Sequence, residues 1–309
     1  MIQSDQPLSE WTNKAYRHAR REQSVVHYLF LSVSLVTILT TIGIIATLAI
    51  ESQHFFAHVT FREFLTGTRW EALFEPKKFG VLPILWGTLM IAFGACVVAV
   101  PIGVGIALYL SEYAHQKVRA TLKPAIELLA GIPSVVFGYF AVTIVTPFLQ
   151  RFLPSTEVFN AASAALTVGI MIVPLVASLS EDAFRSVPQS MRDAGYALGA
   201  TPFEVNLRVV IPAAVSGIMA SVILAFARAI GETMAVSLAA GSSPNLTLDF
   251  LKPIQTMTGF IVQVSMGDVQ HGSIEYQSLF AVAGVLFMVT MIFNYLARKV
   301  VEKMKQAYE

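Results

Sequence analysis

Six stretches of this chain are almost wholly apolar and about 20 residues long, the length needed to cross the hydrocarbon core of a bilayer. They are Val25–Ile50, Ile84–Leu110, Ala125–Leu149, Ala161–Leu179, Val215–Ala240 and Ser278–Leu296. In hydrocarbon each backbone polar group must find a partner within the protein, so the stretches are predicted as helices. The expectation is an all-α, polytopic protein. One six-helix membrane domain, 25–297, lies between a polar segment, 1–24, and a charged tail, 298–309. Composition agrees, with 55% hydrophobic residues against 13% charged. Pro101, Pro133, Pro147 and Pro174 interrupt several stretches, which suits a path that opens and closes. The first stretch is not read as a cleavable signal, because a largely polar segment of 24 residues precedes it and no small-residue cleavage site follows.

Orientation follows from Lys and Arg outside the stretches. Lys14, Arg17, Arg20, Arg21, Lys117, Arg119, Lys123, Arg185, Arg192, Arg208, Arg298, Lys299, Lys303 and Lys305 fall on one side, fourteen in all. The other side has six: Arg62, Arg69, Lys77, Lys78, Arg151 and Lys252. Both termini are therefore expected in the cytoplasm.

The fifth stretch carries two charges, Arg228 and Glu232. A charge at mid-membrane costs roughly 2.5–3.5 kcal/mol on insertion scales, so such residues usually have a task. At i and i+4 they would share one face of a continuous helix, with Arg228 about 20 Å along it. A guanidinium can hold a tetrahedral oxyanion through two parallel hydrogen bonds. An ionised Glu232 accepts but cannot donate, which favours an anion that still carries a proton. The plain alternative is a self-neutralising pair that only permits insertion, or contacts a partner.

Other polar residues say less. Glu127, three residues after Pro124, is expected in the first turn of the third span, with Lys123 beside it. Cys96, the one cysteine, lies in an apolar run and reads as a small buried hydrophobe. The six histidines have no ligand spacing, so no metal site is indicated. No Walker loop, HExxH or Ser-His-Asp arrangement appears, and no catalytic residue is assigned. No basic tract tracks phosphates, which excludes nucleic acid as a partner.

Two outward loops are long. Residues 51–83 hold Phe55, Phe56, Phe61, Phe64, Trp70 and Phe74 among charges, and read as an amphipathic segment in the membrane interface. In 241–277, Ile254–Met266 is too short to span and reads as a re-entrant or surface helix. Both loops either cap the bundle or form a docking rim.

The connection 181–212 is the most specific stretch. Ser186-Val187-Pro188-Gln189 and Thr201-Pro202-Phe203-Glu204 read as two capping boxes, with Gly199 ending the helix between them. Val187, Met191, Ala194 and Leu198 are expected on one face of the first helix, and Phe203 and Leu207 on one face of the second. Two short amphipathic helices make a knob, and an apolar stripe on a knob needs a groove.

Within it, Asp193-Ala194-Gly195, three residues, Gly199, nine residues, Val209, one residue, Ile211-Pro212 resembles the coupling-loop signature of bacterial ABC importer permeases. That signature reads Glu-Ala-Ala, three residues, Gly, nine residues, Ile, one residue, Leu-Pro. Phe79–Thr88, Glu127–Gly138 and Arg228–Thr233 narrow the resemblance to the membrane-spanning subunits of phosphate-specific ABC importers, of the C type rather than the A type. It extends over about 25–300.

The resemblance implies a type I importer permease in the bacterial inner membrane that translocates inorganic phosphate. Its implied partners are a homologous second permease, a cytosolic ATPase dimer docked on 181–212, a periplasmic phosphate-binding protein and membrane lipid. ATP and Mg would sit on the ATPase, with no cofactor in this chain. The alternatives are an ABC importer for another oxyanion or, less in keeping with the loop, a secondary anion transporter.

Overall fold

The computed structural model describes residues 8–306. The first helix, α1 (Leu8–Phe56), continues without a break from the polar segment into the first span. The segment 1–24 therefore begins outside the described residues, and the side chains of its four cations lie outside them too. The chain divides into two compact units after Glu51.

In the second unit, α2 (Phe61–Thr66) and a short antiparallel hairpin, β1 (Trp70–Glu71) with β2 (Lys78–Phe79), precede the second span. That span is α3 (Leu82–Leu108), closed by a π-helical turn over Tyr109–Tyr113. A separate helix, α4 (Gln116–Leu129), follows before α5 (Ser134–Phe140), a second π turn and α6 (Thr146–Phe152). The fourth span is α7 (Ala161–Ser186). Two short helices, α8 (Gln189–Ala197) and α9 (Pro202–Val205), lead through a third π turn, Asn206–Val210, into α10 (Ile211–Ile230). The chain ends with α11 (Met234–Ala239), α12 (Met257–Met266) and α13 (Ile274–Gln306). The last three residues of the tail, 307–309, lie outside the described residues.

Six helical stretches are long and apolar enough to span, as expected, but the third and fifth have markedly different bounds. The third span starts at Ser134, because α4 stands apart, joined by a turn through Pro133. Glu127 is accordingly in the last turn of α4, exposed, and not at the start of a span. The fifth runs from Pro202 to Ile230 and stops short of Ala240. Two of the π turns precede prolines, Pro147 and Pro212. Proline has no N–H and its ring crowds the carbonyl four residues back, so a wider turn absorbs the misfit.

The loop 51–83 is not an interfacial amphipathic segment. Phe55, Phe64, Trp70 and Phe79 are buried in a core of their own, edge to face, together with Phe260 of α12. Phe61 and Phe74 stay exposed. Likewise α12 is no surface helix, since Met257, Phe260 and Val264 are buried.

The central core lies where α3, α7 and α10 meet. Ala92, Ala95 and Ala99 of α3 face Ala161, Ala164 and Val168 of α7 in one buried cluster. In a membrane, where water drives no apolar burial between helices, close packing through small residues does this work. A Cβ on Gly103 would come within 2.7 Å of Val176 Cβ, and one on Gly217 would overlap Ala183 Cβ. The Ser180 and Ser221 hydroxyls add a 2.8 Å bond between α7 and α10. Ala183 Cβ cannot rotate away, so Gly217→Ala is expected to cost roughly 1–3 kcal/mol by overpacking. Its apparent Tm in detergent should fall, and Ala183→Gly in the same chain should restore it.

Candidate functional site

The knob forms where the sequence places it. Gly199 has φ +81°, the left-handed conformation glycine adopts freely, and turns the chain from α8 into α9. Thr201 and Glu204 make the second capping box in full: the Thr201 hydroxyl accepts from Glu204 N–H, and the Glu204 carboxylate accepts from Thr201 N–H at 2.9 Å. The first box does not form. α7 runs on to Ser186, whose hydroxyl donates to the Ala183 carbonyl, and Pro188 starts α8 with no side-chain cap.

Burial divides α8 into two faces. Met191, Ala194 and Leu198 are exposed, and so are Phe203 and Leu207 beyond the turn. Leu198 is 90% exposed and Phe203 66%, so among the described residues little covers the stripe. Val187, expected in the same stripe, is buried instead at the end of α7. The inward face carries Gly195, where a Cβ would meet Val205 Cγ2 at 2.9 Å, which explains glycine at a signature position that usually holds alanine. Asp193 is exposed and accepts from the Gln189 amide at 3.1 Å. Pro212 sits in the first turn of α10.

Two carboxylates, one fully buried and one largely so, were missed from sequence and brace the region. Glu181 of α7 is fully buried and paired with two cations of α4. Arg119 contacts one oxygen, and Lys123 Nζ lies 2.8 Å from the other. Neither oxygen has a well-angled hydrogen bond, so charge at close range is what offsets desolvation. Contact with Glu181 holds the Lys123 ammonium above the ordinary 10.5. Lys123 also reaches Asp182 at 3.4 Å, and it does not pair with Glu127. The second carboxylate is Glu112, at the end of the second span. It meets Arg192 of α8 through Nη2–Oε1 at 3.0 Å and Nε–Oε2 at 3.3 Å.

The fifth span departs from its expected form at the charged pair. α10 ends at Ile230, and Gly231 caps it. Arg228 is therefore in its last turn, where a cation favours the helix dipole, and Glu232 lies in the break. The two do not share one face of a continuous helix. Among the described residues no ion pair joins them. Arg228 is exposed in this chain. Glu232 Oε1 accepts from Ala235 N–H at 3.3 Å, and its carbonyl accepts from the Thr258 hydroxyl at 2.8 Å. α12 thus helps to hold the break open. Glycine and a residue that caps α11 were the available signs of the interruption. The apolar run on either side hid them.

Among the described residues no group of three potential metal ligands occurs, and Cys96 is buried and free. A cavity of about 380 Å³ opens between the hairpin and 242–246, lined in part by Arg69 and Gln263. It lies at the opposite end of the unit from the knob.

The chain is 35% identical over 236 residues to a probable ABC transporter permease protein, YqgH, of Bacillus subtilis, covering 76% of each. It is 33% identical over 254 residues to the phosphate transport system permease protein PstC of Mesorhizobium japonicum, again with 76% of each covered. Among solved structures, a bacterial ABC transporter involved in alginate import matches with TM-score 0.61 at 14% identity, over 93% of this chain and 99% of that one. The MetNI methionine ABC transporter matches with TM-score 0.56 at 15% identity, over 72% and 95%. At that identity the likeness is one of fold: this is the helical fold of ABC importer permeases. Residues 99–306 match the model of the binding-protein-dependent transport system inner membrane component. The chain belongs to that family.

Proposed function

We propose that this chain is one of two homologous membrane subunits of an ATP-driven importer that carries inorganic phosphate into the cytoplasm. The observation that carries the reading is the broken fifth span, with Arg228 exposed in the last turn before the break and Glu232 within it. A planar guanidinium offers phosphate two parallel charge-assisted bonds. Glu232 has one oxygen engaged by Ala235 N–H and the other open to a donor. Hydrogen phosphate has a proton to give and sulfate has none, so an unpaired acceptor would reject sulfate. The phosphate transport permeases among its relatives support the same substrate.

The remaining parts come from partners. The apolar knob around Gly199 docks on a cytosolic ATPase dimer, which holds the ATP and Mg; this chain is a permease and not an enzyme. A periplasmic phosphate-binding protein delivers the anion at the other end, and both termini lie in the cytoplasm. Arg228 and Glu232 face the path between this chain and the second permease.

The test is uptake of labelled phosphate by the assembled complex in proteoliposomes, with sulfate as competitor. Arg228→Lys removes one of two parallel bonds and is expected to lower uptake at limiting phosphate roughly tenfold or more. Glu232→Gln, whose amide can donate, should let sulfate compete. Normal phosphate uptake and unchanged selectivity in both variants would leave the pair a structural feature of the helix break. Preferential uptake of another oxyanion by the wild type would move the substrate and keep the permease.

A further inference from the structure

A knob gripped from outside moves membrane helices only if it is tied to them. α8 is nine residues long and is joined to α7 through Val187-Pro188 and to α9 through Gly199. Those two junctions alone would let α8 swivel while the spans stay still.

Arg192 closes that freedom. It points inward from α8, only 9% exposed, and makes four hydrogen bonds to two other elements. Nη1 donates to the Val187 carbonyl, and Nη2 to the Phe184 carbonyl at 2.8 Å. Both are carbonyls of the α7 terminus, and that of Phe184 also accepts from Val187 N–H. Nε and Nη2 grip the Glu112 carboxylate, itself held by the Ser111 hydroxyl at 2.8 Å. The Arg192 and Glu112 side chains are 11% and 9% exposed. A buried ion pair is weak evidence for added stability, since desolvation consumes most of the attraction. What it supplies here is fixed geometry: one planar group locks α8 to the ends of the second and fourth spans at once. Those spans are packed along their length through Gly103 and the alanines.

We infer that Arg192, acting through Glu112, is the positioning residue that carries displacement of the knob into α3 and α7. The inference rests on the reading of the chain as an ATP-driven permease. Lysine would not serve as well, because a point charge cannot reach the carboxylate and both carbonyls together.

The experiment uses the full complex with its ATPase, with spin labels on Ser190→Cys and His115→Cys, both exposed, in a Cys96→Ala background. In the wild type the label distance should be narrow and the same with and without ATP. Arg192→Met/Glu112→Leu removes both charges together, which leaves no stranded ion and preserves folding. This variant should still bind its ATPase and hydrolyse ATP. Its label distance should broaden and shift with ATP, and labelled phosphate imported per ATP should fall roughly tenfold. Arg192→Lys should fall between. An unchanged distance, or a broadened distance with undiminished phosphate per ATP, overturns the inference. Absence of ATP-driven uptake in the wild type would instead bring down the functional reading, and this inference with it.

Discussion

Replacing Arg119 and Lys123 together by alanine is expected to destabilise the protein by roughly 3–5 kcal/mol, because it strands the Glu181 carboxylate in the interior without a partner. Glu181 is 0% exposed, so water cannot take over from the lost cations. Each single replacement should cost less, since one cation remains within reach of the carboxylate. Glu181→Leu added to the double replacement should recover most of the loss, because no buried charge is then left. Glu181→Leu alone should also be milder, as Arg119 and Lys123 are partly exposed and can turn to water. The pH dependence has a definite sign. The folded state raises the Lys123 value above 10.5, so the clamp contributes fully below pH 10.5 and is lost as pH rises past the folded value. Apparent Tm should thus be flat in this respect between pH 7 and 10. A double variant that melts with the wild type would remove the clamp from the account.

That clamp shows why part of the site was hidden in the sequence. Arg119, Lys123 and Arg192 all count toward the excess of cations on one side, and a loop cation usually sits in water. Here all three are partners of buried carboxylates, and a local pattern cannot announce a pairing 80 residues apart, as between Glu112 and Arg192. What was legible is what depends on near neighbours. The six spans follow from length and hydropathy, Gly199 from its place between two periodic runs, and the Thr201 box from four adjacent residues. The break at Gly231 was missed because apolar residues continue on both sides of it. A single glycine within such a run is read as tolerated, and what decides it is Thr258, 26 residues on, donating to the Glu232 carbonyl. The aromatics of 51–83 failed for the same reason: amphipathic spacing cannot tell a membrane interface from a small core that closes on a distant helix such as α12.

Leu198→Asp combined with Phe203→Asp is expected to reduce ATP-driven uptake to background while leaving this chain as stable as before. Both side chains are largely exposed, so their loss removes little contact within the protein. Their cost lies at the interface. Truncating one well-buried aromatic anchor commonly costs 2 kcal/mol or more of binding, about a thirtyfold loss. A carboxylate forced into an apolar groove adds a desolvation penalty that no partner there offsets. The ATPase subunits should therefore fail to co-purify, and uptake should stop with them. The contrast with the Arg192 variants separates gripping from transmission: there the ATPase stays bound and turns over with reduced import per ATP, and here it is not bound at all. Alanine at the same two positions should give an intermediate result, since it removes the anchors and brings no charge. Recovery of the ATPase at wild-type stoichiometry with the double aspartate variant would mean that the stripe around Gly199 is not the docking surface, however well its spacing fits.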